Sequence, residues 1–403
     1  MSMLWFRVPE SVYFKRAIVN EALTDLKGIC KRAMIITDRD LTWLGVAHRV
    51  KKICEANGFT TSVFDQVVKN PSINDLQNGL GEAKIFKPDM IIALGGGTAM
   101  NYAKLVRIFY ENPEITADQL VGSFDTIRDR LHRNLIRGDI IKSLICIPTT
   151  SCTGDEVTPF ARLTLDNGNI ELISTYTLTP NMAIVDPEMS MGMPKDVAVH
   201  SALNALSMAI ESIVSVHSND YTLPYAQQAA VAIISTFKNS IIDNAFDMDG
   251  RALMHNAATL AGMASGNSFL GISHSLAHFV YSRFHNVHPG VANAIVLPKV
   301  IKFNAEKSDI AKKAYAVLAD KVAVSLNEDI YEKSDDEKVN YLIAQVNNII
   351  ALGEVPTQFT DAGIDAAEFK SAIDDIAAKA LADQGTACNP VKPTLDDLKK
   401  MLL

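Results

Sequence analysis

The stretch Pro88-Asp-Met-Ile-Ile-Ala-Leu-Gly-Gly-Gly-Thr98 decides the fold of the first half of this chain. Its apolar run, bounded by a proline and a glycine triplet, predicts a buried strand that ends in a tight turn. The residues after the turn predict the start of a helix. Such a turn presents bare backbone N–H groups at the positive end of the helix, which suits a diphosphate. Tight strand-to-helix turns also use glycine without a ligand, so both interpretations stand.

Other β-rich runs alternate with helical patterns in the first half. Strands are predicted at residues 33–37, 61–65, 88–94, 143–148 and 182–186, with a helix at residues 44–56. Strands alternating with helices imply a parallel sheet covered on both faces. From about residue 190 the chain changes to long Ala-, Leu- and Ile-rich segments with helical spacing. We therefore expect an α/β N-terminal domain with a parallel sheet over residues 1–189 and an all-α C-terminal domain over residues 190–403.

The composition of the 403-residue chain, with 48% hydrophobic and 21% charged residues, predicts a soluble protein of two domains. A net charge of −8 without a basic stripe argues against a nucleic-acid partner. We find no apolar run of bilayer length and no signal-peptide pattern at the start, and so expect no membrane association. Five scattered cysteines fit a reducing cytoplasm rather than a disulfide framework.

An aspartate follows the first predicted strand, at Thr37-Asp38. A carboxylate there can accept hydrogen bonds from an adenosine ribose and would repel a 2′-phosphate, which favours NAD over NADP. The same residue also suits the N-cap of a helix that starts before Leu41. Both interpretations of Asp38 stay open.

Histidines are concentrated between residues 271 and 290. Four of the nine in the chain lie there, at His274, His278, His285 and His288. His274 and His278 are four apart, which places them on one face of a helix. Imidazole is the commonest metal ligand and a ready acid or base near neutral pH. The alternative is a polar helix followed by a histidine-containing loop.

Taken together, these residues resemble the iron-containing (group III) alcohol dehydrogenase family, in particular the C-terminal alcohol dehydrogenase half of bifunctional aldehyde-alcohol dehydrogenases. The matching motifs, in order along essentially the whole chain, are Gly95-Gly-Gly97, Ala103-Lys104, Pro148-Thr-Thr-Ser151, Glu156-Val-Thr-Pro-Phe160, Leu178-Thr-Pro180, Ala183-Ile-Val-Asp-Pro187, the His274 segment and Ala292-Asn-Ala294. The resemblance implies a dehydroquinate synthase-like fold: an NAD-binding domain, a helical metal-binding domain, and an active site in the cleft between them. It also implies a small alcohol or aldehyde substrate and a homodimer or larger assembly.

The resemblance assigns roles to individual residues. It implies that NAD(H) is bound by Asp38, Gly95, Gly96, Gly97, Thr98, Thr149, Thr150 and Thr153. His278 matches a histidine near the nicotinamide and substrate, and is the implied catalytic residue. His274 and His288 match two of the family's four ligands to Fe²⁺ or Zn²⁺. In the family the metal stabilises the alkoxide from which the hydride leaves.

The other two metal-ligand positions depart from the family pattern. The family aspartate is Asn204 here and the family histidine is Met208. Asparagine offers a neutral oxygen, and methionine offers a thioether that suits soft Cu(I) rather than Fe²⁺ or Zn²⁺. We expect this degraded site not to hold iron or zinc in the family's way. His200, one turn earlier on the same helix face, is a possible replacement ligand.

The cofactor loops also differ. Departures from the family pattern fall at Thr98, Asn101, Cys152, Asp155, Ile170 and Tyr281, with Pro289 as an extra residue. The family has an aspartate at position 101 and a serine at position 155. We expect Asp155 to add a negative charge beside the cofactor, at a cost on the order of 1 kcal/mol.

Three functions follow from these patterns. The first is an NAD-linked alcohol/aldehyde oxidoreductase with an incomplete metal site. The second is a metal-free reductase, as in the maleylacetate reductases that share the fold, with protonated His278 or His274 stabilising the oxyanion. The third is a non-catalytic subunit that keeps the fold for a scaffold or regulatory role. Binding of nicotinamide separates the first two from the third.

Overall fold

The computed structural model describes residues 5–121, 140–244 and 247–403, and its first unit, residues 1–193, is built on a six-stranded parallel sheet. The strand order is β1-β8-β5-β4-β2-β3. The strands are β1 Ser11–Phe14, β2 Arg32–Ile36, β3 Thr60–Phe64, β4 Met90–Gly95, β5 Ser143–Pro148 and β8 Met182–Val185, while β6 Phe160–Thr164 and β7 Ile170–Ser174 form a separate antiparallel hairpin. All five predicted strands are confirmed to within two residues at each end.

Three strands were not predicted from the sequence. β1 is a four-residue edge strand without a fully buried residue, so it lacks the continuous apolar run of a central parallel strand. β6 alternates between half-buried and buried positions, as a two-stranded hairpin with one covered face does. The search for continuous apolar runs therefore missed all three, including β7.

The helices of the first unit connect and cover the strands. They are α1 Val19–Thr24, α2 Arg39–Trp43, α3 Val46–Ala56, α4 Ile73–Phe86, α5 Gly97–Glu111 and α6 Ala117–Leu120, with 3₁₀ turns at Tyr176–Leu178 and Pro187–Ser190. The helix predicted at residues 44–56 begins two residues later than expected. Gly45 has a φ of +79°, a left-handed conformation that ends α2 and starts α3 in a new direction.

Both faces of the sheet are buried, as the sequence predicted. Met34 and Ile36 of β2 belong to an apolar cluster with α4 and α5. Ala33 and Ile35 point to the opposite face and join a second cluster with α1 and α3. Each buried isoleucine contributes about 2 kcal/mol through removal of apolar surface from water. Two covered faces explain why the central strands are apolar throughout and do not alternate.

The second unit, residues 194–403, is helical in the part of the chain that the structure describes. Its helices are α7 Lys195–Val214, α8 Leu223–Phe237, α9 Met248–Ser268, α10 Ile272–Arg283, α11 Pro289–Lys307, α12 Asp309–Leu326, α13 Asp335–Leu352, α14 Ala366–Ala382, α15 Gln384–Cys388 and α16 Leu395–Leu402, with a π-helical turn at Lys238–Asp243. α7 packs against α8, α9 and α11. It is long and apolar enough to cross a membrane, but 89% of its apolar window is buried, as in a core helix.

Candidate active site

The carboxyl ends of three neighbouring strands bring together the residues predicted to bind a dinucleotide. β4 lies between β2 and β5 in the sheet. From β2 the chain first adds β3 on one side and then returns to place β4 on the other. The sheet order therefore reverses between β2 and β4, and ligands of open α/β sheets bind at such a switch point. Asp38 follows β2, the glycine triplet follows β4, and Thr149 follows β5, where its N–H donates to the Gly95 carbonyl at 3.0 Å.

The glycine triplet is required by close packing at this edge. Gly95 has a φ of +151°, and a Cβ there would lie 2.7 Å from the Cβ of Ala99. A Cβ on Gly96 would lie 2.9 Å from the Thr150 Oγ1 atom. α5 begins at Gly97, and its N-cap residue, Gly96, makes no side-chain capping hydrogen bond. The structure thus forms the strand–glycine–helix turn that the sequence predicted, with the first N–H groups of α5 left without a side-chain cap.

Asp38 follows β2 and caps the helix that begins after it. Its Oδ1 atom accepts a hydrogen bond from the Leu41 N–H at 2.8 Å and caps α2. Its Oδ2 atom lies 3.6 Å from the point that a Cβ on Gly95 would occupy, on the side of the glycine turn. Burial raises the pKa of Asp38, and the Leu41 N–H opposes that shift. The capping role is observed, and the ribose contact remains a prediction.

Two departures from the family pattern contact each other. The Asn101 amide donates to the Asp155 Oδ2 atom at 3.1 Å, and its oxygen accepts from the Arg162 N–H at 2.8 Å. The Thr153 hydroxyl also donates to the Asp155 Oδ2 atom, at 2.8 Å. Asn101 lies on α5 and Asp155 in the loop between β5 and β6, so this contact joins the helix to that loop. The two residues are 54 positions apart in the sequence, and no local pattern links them.

A fully buried lysine lies close to this carboxylate. The Lys104 Nζ atom donates to the backbone carbonyls of Thr158 and Phe160 at 2.8 and 3.0 Å. Burial lowers the pKa of Lys104, whereas Asp155 and Glu156 raise it.

Cys152, another position that departs from the family pattern, is buried, with 8% of its surface exposed.

In the second unit, His274 is oriented by a buried glutamate. The His274 Nδ1 atom is hydrogen-bonded to the Glu211 Oε2 atom, and the other carboxylate oxygen of Glu211 accepts from the Ser273 N–H at 2.6 Å. Glu211 is 2% exposed. The opposite ring nitrogen of His274, Nε2, is buried without a hydrogen-bond partner among the described residues. Sequence reasoning missed Glu211, although it lies seven residues after Asn204 on the same face of α7.

The last family ligand position, His288, caps a helix. Its Nδ1 atom accepts a hydrogen bond from the Gly290 N–H at 3.0 Å, and the extra residue Pro289 occupies the first position of α11. A neutral imidazole that accepts at Nδ1 carries its proton on Nε2. His200 stacks on this ring with centroids 5.1 Å apart. Burial lowers the pKa of His200.

Asn204 and Met208, which the resemblance matches to the other two metal-ligand positions, belong to a hydrogen-bonded chain. The Asn293 amide donates to the Asn204 Oδ1 atom at 3.1 Å, and the Asn204 amide donates to the Met208 Sδ atom at 3.4 Å. The Ser273 hydroxyl donates to the Asn293 Oδ1 atom at 3.1 Å. In the described residues no group of three or more His, Cys, Asp or Glu side chains is placed to hold a metal ion.

The remaining two histidines lie on or beside α10. The partly buried His278 ring packs edge-on against Phe279, with centroids 4.8 Å apart. The Nδ1 atom of His285 is 3.0 Å from the Tyr281 carbonyl, within hydrogen-bonding distance. His274 and His278 therefore share one helix, as predicted, whereas His288 belongs to the next.

The chain belongs to the iron-containing alcohol dehydrogenase family. Residues 9–187 match the family model for iron-containing alcohol dehydrogenase, and residues 198–403 match the C-terminal model of the same family. The sequence-based recognition of the family is thereby confirmed.

Individual relatives agree with this assignment. The chain is 37% identical over 416 residues to an aldehyde-alcohol dehydrogenase of Clostridium acetobutylicum, covering 100% of this chain and 47% of the relative. It therefore spans about half the length of that relative. An NADPH-dependent butanol dehydrogenase of Clostridium saccharobutylicum is 34% identical over 99% of this chain and 97% of its own. The iron-containing alcohol dehydrogenase structure from Thermococcus thioreducens superposes with a TM-score of 0.87 at 26% identity, over 99% of this chain and 98% of that one.

Proposed function

We propose that this chain is a nicotinamide-dependent oxidoreductase that interconverts a small alcohol and the corresponding aldehyde. The observation that carries the proposal is the edge formed by β2, β4 and β5, where Asp38 and an uncapped, glycine-lined helix N-terminus lie at the switch point of the sheet. A ribose hydroxyl and a diphosphate are the ligands that suit this pair of features. NAD(H), when bound, supplies or accepts the hydride.

The cofactor-binding residues act through hydrogen bonds and shape. We assign the diphosphate to the backbone N–H groups at Gly96 and Gly97, where the Thr150 side chain and the Asp155 carboxylate leave no room for a Cβ. Thr98 and Thr149 complete that edge. Asp38 would accept hydrogen bonds from the adenosine ribose, and its charge disfavours a 2′-phosphate, so we propose a preference for NAD(H) over NADP(H).

We assign His278 to the substrate oxygen. It lies on α10 one turn after His274, and its side chain is partly exposed. An imidazole N–H donated to that oxygen stabilises the charge that develops on it during hydride transfer. His278 is then the catalytic residue of this chain, as the sequence analysis predicted.

We further propose that the reaction proceeds without iron or zinc bound in the family's four-ligand way. The donor atoms Asn204 Oδ1, Met208 Sδ and His288 Nδ1 each accept a hydrogen bond within this unit. A hard or borderline dication prefers an anionic or imidazole-rich set with free lone pairs. The four positions matched to the family's ligands supply no negative charge here, so the residues present do not fit Fe²⁺ or Zn²⁺.

The test is isothermal titration of NADH into the purified protein, with the metal content of the same sample measured in parallel. Micromolar binding supports the oxidoreductase, and less than about one metal ion per ten chains supports the metal-free form. Stoichiometric iron or zinc would overturn the metal-free proposal and would support an NAD-linked alcohol/aldehyde oxidoreductase that uses a metal. A folded protein that binds no NADH up to millimolar concentration would refute both the metal-assisted and the metal-free oxidoreductase. The remaining function would then be the non-catalytic scaffold or regulatory role. A homodimer or larger assembly and a cytoplasmic location stay predictions.

A further inference from the structure

A carboxylate of the chain itself lies beside the N-terminus of α5. The Asp155 Oδ2 atom lies 2.8 Å from the point that a Cβ on Gly97 would occupy, and Gly97 is the first residue of the helix. An anion at this end of a helix interacts favourably with the free N–H groups and the helix dipole. Asp155 therefore stands beside the place that suits a phosphate.

The position of this carboxylate is fixed by its surroundings. Asp155 is 6% exposed. Its Oδ2 atom accepts from the Asn101 amide at 3.1 Å and the Thr153 hydroxyl at 2.8 Å, and its Oδ1 atom accepts from the Thr158 hydroxyl at 3.4 Å. Swinging the side chain away from α5 would remove the acceptor of the buried Asn101 amide and Thr158 hydroxyl, which costs about 1–3 kcal/mol for each donor left unsatisfied. A ligand that binds at α5 thus meets a carboxylate that does not move aside.

We propose that Asp155 repels the cofactor diphosphate and thereby sets the affinity of this chain for dinucleotides. The inference rests on the proposed function, because it takes NAD(H) to bind at the glycine turn. Like charges at one helix end repel each other, and burial limits the screening of that repulsion by salt. Asp155 therefore weakens the binding of ligands that carry the diphosphate, whereas it does not weaken the binding of the nucleoside part. Asp155 is a specificity-determining residue, and it takes no part in hydride transfer.

The test compares three ligands on the intact chain. Asp155→Asn keeps the size of the side chain and an oxygen acceptor for the Asn101 amide, and Asp155→Ser restores the family residue. We expect NADH and ADP to bind about tenfold more tightly to both variants in titration calorimetry, and adenosine affinity, measured by displacement of NADH fluorescence, to stay the same. Asp166→Asn, which removes the same charge from an exposed turn of the first unit, is the matched control and leaves all three affinities unchanged.

The outcomes separate this inference from the proposed function. If the parent binds NADH at micromolar concentration and the NADH affinities of both variants lie within twofold of the parent's, Asp155 does not set the affinity. The proposed oxidoreductase function is still supported in that case. An equal gain for adenosine would also overturn the inference, because the effect would not act on phosphate. If NADH binds to both variants but not to the parent, Asp155 is the element that blocks the cofactor, which supports the inference. No NADH binding to parent or variants refutes both.

Discussion

Replacing Asn101 by aspartate places a second carboxylate against Asp155, and the cost follows from the structure. The Asn101 Nδ2 atom is 3.1 Å from the Asp155 Oδ2 atom. Two unit charges at that distance repel by about 5 kcal/mol at an effective dielectric constant near 20. Uptake of one proton by the pair limits the cost at pH 7 to about 4 kcal/mol, because an aspartate of ordinary pKa near 4 is then protonated three units above that pKa. Nearby Lys104 reduces it further, so we expect Asn101→Asp to lower the free energy of unfolding by about 3 kcal/mol.

The pH dependence identifies the cause of this loss. A loss of about 3 kcal/mol corresponds to about two pKa units, so the carboxyl pair of the variant holds one more proton in the folded than in the unfolded state between about pH 4 and pH 6. Stability relative to the parent therefore rises as pH falls, by about 1.4 kcal/mol per unit. Guanidinium unfolding followed by tryptophan fluorescence measures it, because both tryptophans, Trp5 and Trp43, lie in the first unit. A loss caused only by a missing hydrogen bond would not change with pH.

A second substitution tests the contact directly. Adding Asp155→Asn to Asn101→Asp restores one donor and one acceptor, so we expect the double variant to lie within about 1 kcal/mol of the parent. Asn167→Asp adds the same charge on the exposed β6–β7 turn and should shift stability by less than about 0.5 kcal/mol. A loss below about 1 kcal/mol for Asn101→Asp, with no change between pH 5 and pH 7, would refute the reasoning.

Three further predictions concern the two candidate sites. Gly96→Ala brings a Cβ to 2.9 Å from the Thr150 Oγ1 atom, so calorimetry should show about tenfold weaker NADH binding. The control Gly192→Ala, whose nearest contact is 3.8 Å away, should bind NADH as the parent does. Equal NADH affinities for Gly96→Ala and the parent would contradict this prediction. Glu211→Gln removes the charge facing His274 and should lower the free energy of unfolding by about 2 kcal/mol in denaturant titrations, and an unchanged midpoint would contradict this. The metal-free form that we propose predicts that chelator treatment shifts the melting temperature by less than about 1 °C, and a large drop would show a structural metal.

Much of the fold could be predicted because its signals are local. The run before Gly95 is apolar throughout and ends in glycine, and both features follow from a central parallel strand that meets a helix. The helical second unit likewise follows from spacing that repeats within a few residues. The edge strand β1 and the β6–β7 hairpin escaped prediction, because a strand with an open face carries a weaker pattern than one buried on both sides.

The candidate site divides in the same way. Asp38, the glycine triplet and the histidine spacing are visible in the sequence because each lies next to the element that positions it. The pairing of Asn101 with Asp155 joins residues 54 apart, and that of Glu211 with His274 joins residues 63 apart. Such contacts depend on which elements the tertiary fold packs together, so no local pattern contains them.

By itself, the sequence determined the family and the parallel sheet followed by helices, and it supplied the candidate site residues. The tertiary structure alone decided what those residues do. Asn101 and Asp155 are two unrelated substitutions in the sequence and one hydrogen-bonded pair in the fold. His288 is a metal-ligand candidate in the sequence and a helix cap in the fold, because the Gly290 N–H uses its Nδ1 lone pair. The physical reason is that side-chain chemistry is fixed by residue type, whereas the hydrogen-bonding state of each atom depends on distant neighbours.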